Sequence, residues 1–288
     1  MYVITGVTGN TGAVVARTLL DAGQKVRVVV RSAEKGVAWR AAGAEVAVAS
    51  LEDPIALARA FEGASGAYLL LPPDGTHPAF IARGRRLTEG FVEALTRTPV
   101  PHVVLLSSIA AHLADGTGPI RTVAYAEGRL RSLAGVKLTA LRAAYFMENF
   151  GSGLEPAKTQ GVLPSLFDPS RAIEMVSTTD IGRVAALALR EPPAGHQVIE
   201  LAGPQAYSPD DVARALGARL GREVTPHRVP NAAIVATLTG FGMSADVAEL
   251  YREMCAAVDR DGLVFEGGHR LVRGQVTLAE RLGLLLGG

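Results

Sequence analysis

Short aliphatic and β-branched runs alternate with segments of helical periodicity through the first half of the chain. This alternation is typical of consecutive βαβ units, in which helices cover both faces of a parallel sheet. The runs that we interpret as strands are Tyr2–Thr5, Lys25–Val30, Glu45–Ala49, Ala67–Leu71, His102–Ser107 and Leu138–Arg142. The pattern therefore predicts an α/β fold built on a Rossmann-type, doubly wound parallel sheet.

The segments between these strands carry start and stop signals for helices. Asp53 is placed to cap a helix over Pro54–Phe61, where proline at the first helical position loses no hydrogen bond. Gly23 stands where a left-handed residue would close the first helix and turn the chain into the second strand. A longer helix before Pro99 and another over Val123–Leu133 complete the expected set.

The alternation of predicted strands and helices ends after Met147, where glycines and prolines exclude one continuous helix or a long central strand. We therefore divide the chain into a sheet domain over 1–150 and a smaller α+β lobe over 151–288, interleaved with the first and expected to bind substrate. The elements predicted for this lobe are helices over Thr179–Arg190, Ser208–Leu220, Ala232–Thr239, Ser244–Val258 and Leu278–Leu286, and a strand over Gln197–Ala202.

A glycine-rich loop, GVTGNTG, lies between the first strand and the first helix. Gly6, Gly9 and Gly12 are spaced three apart, so that no Cβ would block a pyrophosphate facing the backbone N–H groups and the positive end of the helix dipole. The short polar side chains of Thr8, Asn10 and Thr11 line the same turn. These residues indicate a dinucleotide site; the alternative is a tight turn with no ligand.

The residues after the second strand indicate which dinucleotide is bound. A carboxylate there would accept from a ribose 2′-hydroxyl, whereas a cation would hold a 2′-phosphate. This chain has Arg31, followed by Ser32 and Lys35. We therefore expect NADP(H) rather than NAD(H); the alternative is a solvated, cationic turn.

Other strand ends should complete the cleft, because ligands of open α/β sheets bind outside the carboxyl ends of the strands. Leu71 and Pro72 are suited to flank adenine or ribose, and Ser107 can form a hydrogen bond near the nicotinamide. A cleft between the lobes, walled by Pro73, a loop beginning at Ile109, and Phe146, Phe167 and Phe241, would favour a flat, small-molecule acceptor.

Composition and charge narrow the partners and the compartment. Lys plus Arg is 29 against 28 for Asp plus Glu, so the net charge of +1 gives no reason to expect nucleic acid or an anionic membrane. A single cysteine, Cys255, and scattered histidines indicate neither disulfides nor a metal site. Without a signal-like or membrane-spanning segment, we expect a cytoplasmic protein. A homodimer or a regulatory protein partner stays open.

Several longer motifs resemble the NmrA-like branch of the atypical short-chain dehydrogenases over almost the whole chain. They are the opening glycine loop, VVVRSAEK, AYLLLPP, LLSSIAA, AEGRLRSLAGVKLTALRAAYFMENF and STTDIGRVAALAL. The family includes NADPH-dependent quinone and azo-dye reductases and redox-sensing regulators. The resemblance implies that Tyr145 and Phe146 contact the cofactor and that Met147 and Asn149 face the substrate.

One departure from the wider family concerns the proton donor. Short-chain dehydrogenases use a Tyr-x-x-x-Lys pair, but the nearest string here runs from Tyr125 to Arg129, and Val123 stands where some family members keep a lysine. We therefore assign no catalytic residue. The sequence favours an NADPH-dependent oxidoreductase that reduces a small apolar acceptor, such as a quinone or an azo compound, by direct hydride transfer; the alternative is an NADP(H)-binding redox sensor with little turnover.

Overall fold

The computed structural model describes residues 1–260 and 263–287 and is built around an eight-stranded parallel sheet. The strands are β1 (Tyr2–Ile4), β2 (Val26–Val30), β3 (Glu45–Val48), β4 (Gly66–Leu69), β5 (His102–Ser108), β6 (Lys137–Ala143), β7 (Tyr145–Phe146), β8 (Val162–Ser165), β9 (Ile173–Val176), β10 (Gln197–Ala202), β11 (Ala206–Tyr207), β12 (Thr225–Arg228) and β13 (Arg270–Arg273). The order in the main sheet is β13-β10-β6-β5-β4-β1-β2-β3. The predicted Rossmann-type sheet is confirmed, and its order reverses beside β1, where such folds bind their ligands.

Helices pack on both faces of this sheet. They are α1 (Asn10–Asp21), α2 (Ala33–Ala41), α3 (Pro54–Phe61), α4 (Phe80–Arg97), α5 (Arg121–Arg131), α6 (Leu154–Gln160), α7 (Thr178–Arg190), α8 (Pro209–Leu220), α9 (Ile234–Gly240), α10 (Ala245–Asp259) and α11 (Leu278–Leu285). One apolar cluster joins the sheet to α1 and α7 through Leu19 and Ile181. Another joins its opposite face to α3, α4 and α5 through Phe61, Phe91 and Leu130.

The local signals in the sequence act as expected. Asp53 Oδ1 accepts hydrogen bonds of 3.0 Å from both Ile55 N and Ala56 N at the start of α3. Gly23 has a φ of +70° after α1, which a residue with a Cβ rarely adopts. Ser208 forms a capping box with Asp211 at the start of α8. These contacts fix the helix ends on which the loops of the site depend.

The C-terminal half contributes both to the main sheet and to smaller layers. Strands β10 and β13 extend the sheet beyond β6, while the remaining short strands form the ladders β11-β9-β7 and β12-β8. A third apolar cluster lies here and includes Met147, Leu216 and Leu282. The division at residue 150 stays a prediction. Among the described residues, none of the helices has both the length and the apolarity needed to cross a bilayer.

Candidate functional site

The three glycines of the first loop have three different structural roles. Gly6 has a φ of +67° and accepts a 3.0 Å hydrogen bond from Gly9 N, which closes the turn. A Cβ on Gly12 would lie 2.5 Å from Gly6 O, so this glycine lets α1 approach the strand end. A Cβ on Gly9 would meet only Gly6 O, at 3.4 Å. The surface over Gly9 is therefore open to a ligand.

The start of α1 lies directly after this turn. Gly9 is its N-cap residue and supplies no side-chain hydrogen bond to the first N–H groups of the helix. Unpaired N–H groups and the positive end of the helix dipole favour an anion at this position. The residues present therefore fit the pyrophosphate of a dinucleotide, which the glycine pattern predicts.

Three adjoining cavities lie along the carboxyl ends of the strands. The central cavity, about 550 Å³, runs from Gly6 and Asn10 to Phe146 and Asn149. The Arg31 cavity, about 410 Å³, shares with it Gly6, Thr8, Leu70, Pro72 and Pro73. The apolar cavity, about 290 Å³, shares with its other end Pro73, Ser108, Pro119, Ile120, Phe146 and Asn149. The three cavities together form one cleft with the glycine loop near its middle.

The Arg31 cavity contains a second guanidinium that sequence reasoning missed. Arg83 lies on α4, and its Nη1 donates a 3.1 Å hydrogen bond to Pro72 O. The same guanidinium lies 3.5 Å from Glu52 Oε1, and both side chains line the cavity together with Arg31. No local motif links Arg83 to the end of β2, because the two are joined only by the folding of α4 across the sheet.

The apolar cavity lies between β7, β9 and α10. Tyr145 packs edge-on against Phe167, with ring centroids 5.2 Å apart, and against Phe150 at 5.9 Å. Burial raises the pKa of Tyr145 and of Tyr251 above the ordinary value of tyrosine, and raises the pKa of Cys255 to about 12. These three groups therefore stay protonated at neutral pH.

The backbone after β5 is strained beside this cavity. Ala110 has a φ of +62°, a conformation that residues with a Cβ rarely adopt, and it is fully buried. The preceding residue, Ile109, donates its N–H to Ala143 O at 2.8 Å and lines the apolar cavity. The tight reversal at Ala110 carries the chain from the sheet into the loop that walls the cleft.

Most of the predicted site residues line the cleft. The central cavity includes Gly6, Thr8, Gly9, Asn10, Thr11, Leu71, Pro72, Pro73, Ser107, Phe146 and Asn149. Ile109 and Tyr145 line the apolar cavity, and Arg31 lines the cavity named after it. Their contacts with cofactor or substrate stay predictions.

Other predicted site residues line none of the three cavities. Gly12 packs against backbone, and Ser32 and Lys35 lie on the turn and the first helical turn after Arg31. Met147 is fully buried in the C-terminal core because the 3₁₀ turn that begins there directs its side chain inward. Phe241, expected in the cleft wall, is 78% exposed. Met147 and Phe241 therefore lie apart from the three cavities.

A buried polar chain lies behind Ser107, and sequence reasoning missed it. Ser107 Oγ donates a 2.5 Å hydrogen bond to Glu127 Oε1. Arg142 donates hydrogen bonds to both oxygens of Glu127, with Nε 3.0 Å from Oε1 and Nη2 2.8 Å from Oε2. Although burial opposes its charged form, hydrogen bonds to Glu127 and Glu266 hold the pKa of Arg142 above its ordinary value. The chain forms because Ser107 and Arg142 are paired in register on β5 and β6.

Tyr125 lies outside the three cavities. Its hydroxyl donates a 2.7 Å hydrogen bond to Glu89 Oε1, and Arg129 binds both oxygens of the same carboxylate. These hydrogen bonds, that of Arg129 first, lower the pKa of Glu89 to about 2, and the bond to Glu89 raises the pKa of Tyr125. The neighbouring Val123 lines the central cavity instead. Tyr125 is therefore placed to stabilise the packing of α4 on α5 rather than to donate a proton in the cleft.

The fold and the glycine-loop cleft define a Rossmann protein of the dinucleotide-binding type. Residues 2–262 match the NmrA-like family, and the chain belongs to that family. The resemblance of the longer motifs is thereby confirmed.

Two curated relatives align with most of the chain. It is 25% identical over 265 residues to an NAD(P)H azoreductase of Xenophilus azovorans, covering 91% of this chain and 89% of the relative. It is also 25% identical over 267 residues to quinone oxidoreductase 2 of Escherichia coli strain K12, covering 91% and 90%. A solved structure of the NADPH-dependent quinone oxidoreductase QOR2 of Escherichia coli, complexed with NADPH, has a TM-score of 0.83 at 24% identity, covering 99% of this chain and all of that one.

Proposed function

We propose that this protein is an NADPH-dependent oxidoreductase that reduces a small, largely apolar acceptor such as a quinone or an azo compound. The observation that carries the proposal is the continuity of the three cavities. The Arg31 cavity, the glycine loop and the apolar cavity follow one another in the order that an adenosine phosphate, a pyrophosphate and a nicotinamide beside its acceptor would require.

NADP(H) is the cofactor, in agreement with the nicotinamide nucleotides named for the relatives. Arg31 is the residue that would neutralise a 2′-phosphate, and its cavity opens on the glycine loop at Gly6 and Thr8. The open surface over Gly9 and the uncapped start of α1 would hold the pyrophosphate. Bound there, NADPH supplies the hydride for the reduction.

The protein's own contribution is to position the acceptor and exclude water. Aromatic and aliphatic side chains form most of the apolar cavity, among them Ile109, Phe146 and Phe167. The carboxylate of Glu174 also lines this cavity, but both of its oxygens are bonded by Arg273. A flat, uncharged ring system therefore suits the cavity better than a charged metabolite, which would lose its hydration for little gain. The product takes up its proton from water, since no dedicated proton donor is assigned.

The redox-sensor alternative is not favoured, because the relatives are named for reductase activity. The proposal includes a cytoplasmic location, which supplies NADPH and suits a buried, free cysteine. Neither the rejection of the sensor nor the location changes the assignment of the cleft.

A direct test is to mix the purified protein with saturating NADPH and a panel of quinones and azo dyes while the nicotinamide absorbance is followed. Turnover with at least one flat, apolar acceptor is expected. Tight binding of both NADPH and NADP⁺ without turnover of any acceptor would overturn the reductase and support the sensor. Tyr125→Phe serves as a matched control, because this tyrosine lies outside the cleft and its loss should leave the rate unchanged.

A further inference from the structure

The buried chain behind the cleft connects the cavity wall to the ion pair of Glu127 and Arg142. Ser107 is 4% exposed, Glu127 5% and Arg142 4%, yet Ser107 forms part of the wall of the central cavity. Arg142 Nη1 also lies 2.5 Å from Glu266 Oε2, so both of its terminal nitrogens are occupied by carboxylates. Of these hydrogen-bonded side chains, Ser107 is therefore the one that lines the cleft.

The hydrogen-bond pattern fixes the polarity of the Ser107 hydroxyl. Both oxygens of Glu127 accept from Arg142, and a guanidinium can only donate. The carboxylate therefore cannot donate to Ser107, and the serine hydroxyl donates its single proton to Glu127 Oε1. Toward a ligand in the central cavity, which Ser107 lines, Oγ can consequently act only as an acceptor.

The position of Ser107 determines which part of the cofactor can use those acceptor sites. Ser107 lies at the carboxyl end of β5, and the next residue, Ser108, lines both the central and the apolar cavity. A nicotinamide ring that reacts with an acceptor in the apolar cavity must lie at this junction. Its carboxamide is the group there that carries N–H donors.

We propose that Glu127 and Arg142 are positioning residues that hold Ser107 as an obligate hydrogen-bond acceptor for the carboxamide NH₂ of the nicotinamide. This proposal rests on the proposed function, because it assumes that NADPH occupies the cleft. It adds that the site favours a nicotinamide ring whose side group donates an N–H. A side group of the same shape that can only accept a hydrogen bond should bind more weakly.

The test compares NADPH with its reduced 3-acetylpyridine analogue, in which a methyl group replaces the carboxamide NH₂. Dissociation constants are measured by calorimetry for the whole protein and its variants. The unmodified protein should prefer NADPH about tenfold, the effect of one hydrogen bond to a buried partner. In Ser107→Ala the preference should fall to about one, whereas Ser107→Thr keeps the hydroxyl and should retain it.

Glu127→Gln tests the relay itself. A glutamine amide can donate to Ser107 Oγ, so that residue 127 no longer holds the hydroxyl proton and this proton can point into the cleft. The preference for NADPH should then again fall towards one. If Glu127→Gln does not fold because Arg142 loses its partner, Ser107→Ala still decides the question. A tenfold preference that survives in Ser107→Ala would overturn the proposal, because the acceptor would then be elsewhere.

A third ligand separates this proposal from the proposed function. 2′-Phospho-ADP-ribose lacks the nicotinamide and should bind equally to the unmodified protein and the folded variants. If the unmodified protein binds none of the three nucleotides, the proposed function has failed. If it binds NADPH and the analogue equally well, only the role of Ser107 and Glu127 has failed.

Discussion

The hydroxyl of Tyr68 donates a 3.0 Å hydrogen bond to Thr11 Oγ1, which joins the buried strand β4 to the first turn of α1 beside the glycine loop. Tyr68 is fully buried, and burial raises its pKa well above the ordinary value of 10.0. The contact therefore anchors the start of α1 to the inside of the sheet, next to the central cavity that Thr11 lines.

Removing this hydroxyl should destabilise the protein without emptying the core. Tyr68→Phe leaves Thr11 Oγ1 without its donor, and we expect a loss of about 1 kcal/mol in the free energy of unfolding. Urea denaturation measures this change. An equal stability of the variant and the unmodified protein would show that the bond contributes nothing net.

The same residue predicts a pH dependence. Because the pKa of Tyr68 is raised in the folded state, the unfolded chain ionises first as the pH rises past 10.0, and stability must fall there. Below that pH both states keep the proton and the contribution is constant. Denaturation of Tyr68→Phe across this range should show a shallower decline, and an unchanged slope would contradict the assignment. Tyr145 and Tyr251 should account for part of what remains, since their pKa values are raised too.

Arg31 should determine the choice between the phosphorylated and the unphosphorylated cofactor. In Arg31→Glu a carboxylate faces the 2′-phosphate, so NADPH should bind at least about tenfold more weakly, since one hydrogen bond between charged groups is lost. NADH, which has no such phosphate, should be affected far less. Calorimetry with both nucleotides checks this, and Arg40→Glu on the neighbouring helix α2 is the control for net charge. An equal loss for both nucleotides would reject the assignment.

Gly9 and Gly12 should separate ligand binding from folding. Gly9→Ala places a methyl group over the loop in ordinary contact with Gly6 O, at 3.4 Å, so the protein should fold normally while NADPH binding falls by more than about tenfold. Gly12→Ala places its methyl group 2.5 Å from Gly6 O and should lower the free energy of unfolding by about 1–3 kcal/mol. Thermal unfolding and NADPH titration of both variants distinguish the two effects. Full NADPH affinity in Gly9→Ala would move the pyrophosphate away from the loop.

The apolar cavity should affect the acceptor and not the cofactor. Ile173 lines this cavity and does not line the central one, so Ile173→Trp should raise the KM for a quinone while the Kd for NADPH stays within about twofold. Val37→Trp, at a position 61% exposed on α2, controls for the added bulk. A KM that is unchanged in Ile173→Trp would place the acceptor outside this cavity.

The parts of the fold that depend on local signals could be predicted from the sequence. Pro54–Phe61 could be bounded because Asp53 caps its start, and Gln197–Ala202 because Gly195 and Gly203 flank a run rich in aliphatic residues. Helix α2 was missed because its residues alternate between charged and small types without a clear apolar face. Strand β13 could not be predicted because its residues are mostly exposed and show no apolar pattern; it forms through its pairing with β10.

The candidate site divides in the same way. The glycine loop is contiguous in sequence, so its geometry could be inferred from spacing. Arg83 reaches the cleft through the packing of α4, whereas Glu127 and Arg142 reach Ser107 through the packing of α5 and the register of β5 on β6. No spacing rule connects such residues. Met147 is the opposite case, because it is next to cleft residues in sequence but its side chain is buried in the core.

The central claim is that a nicotinamide at the Ser107–Phe146 junction meets its acceptor directly. Single-turnover mixing of the NADPH-loaded protein with a quinone, without oxygen, tests this when NADPH and NADPH deuterated at nicotinamide C4 are compared. We predict a loss of nicotinamide absorbance that is slower with the deuterated cofactor and goes to completion without any added mediator. No absorbance change with any acceptor, despite saturating NADPH, would contradict the account.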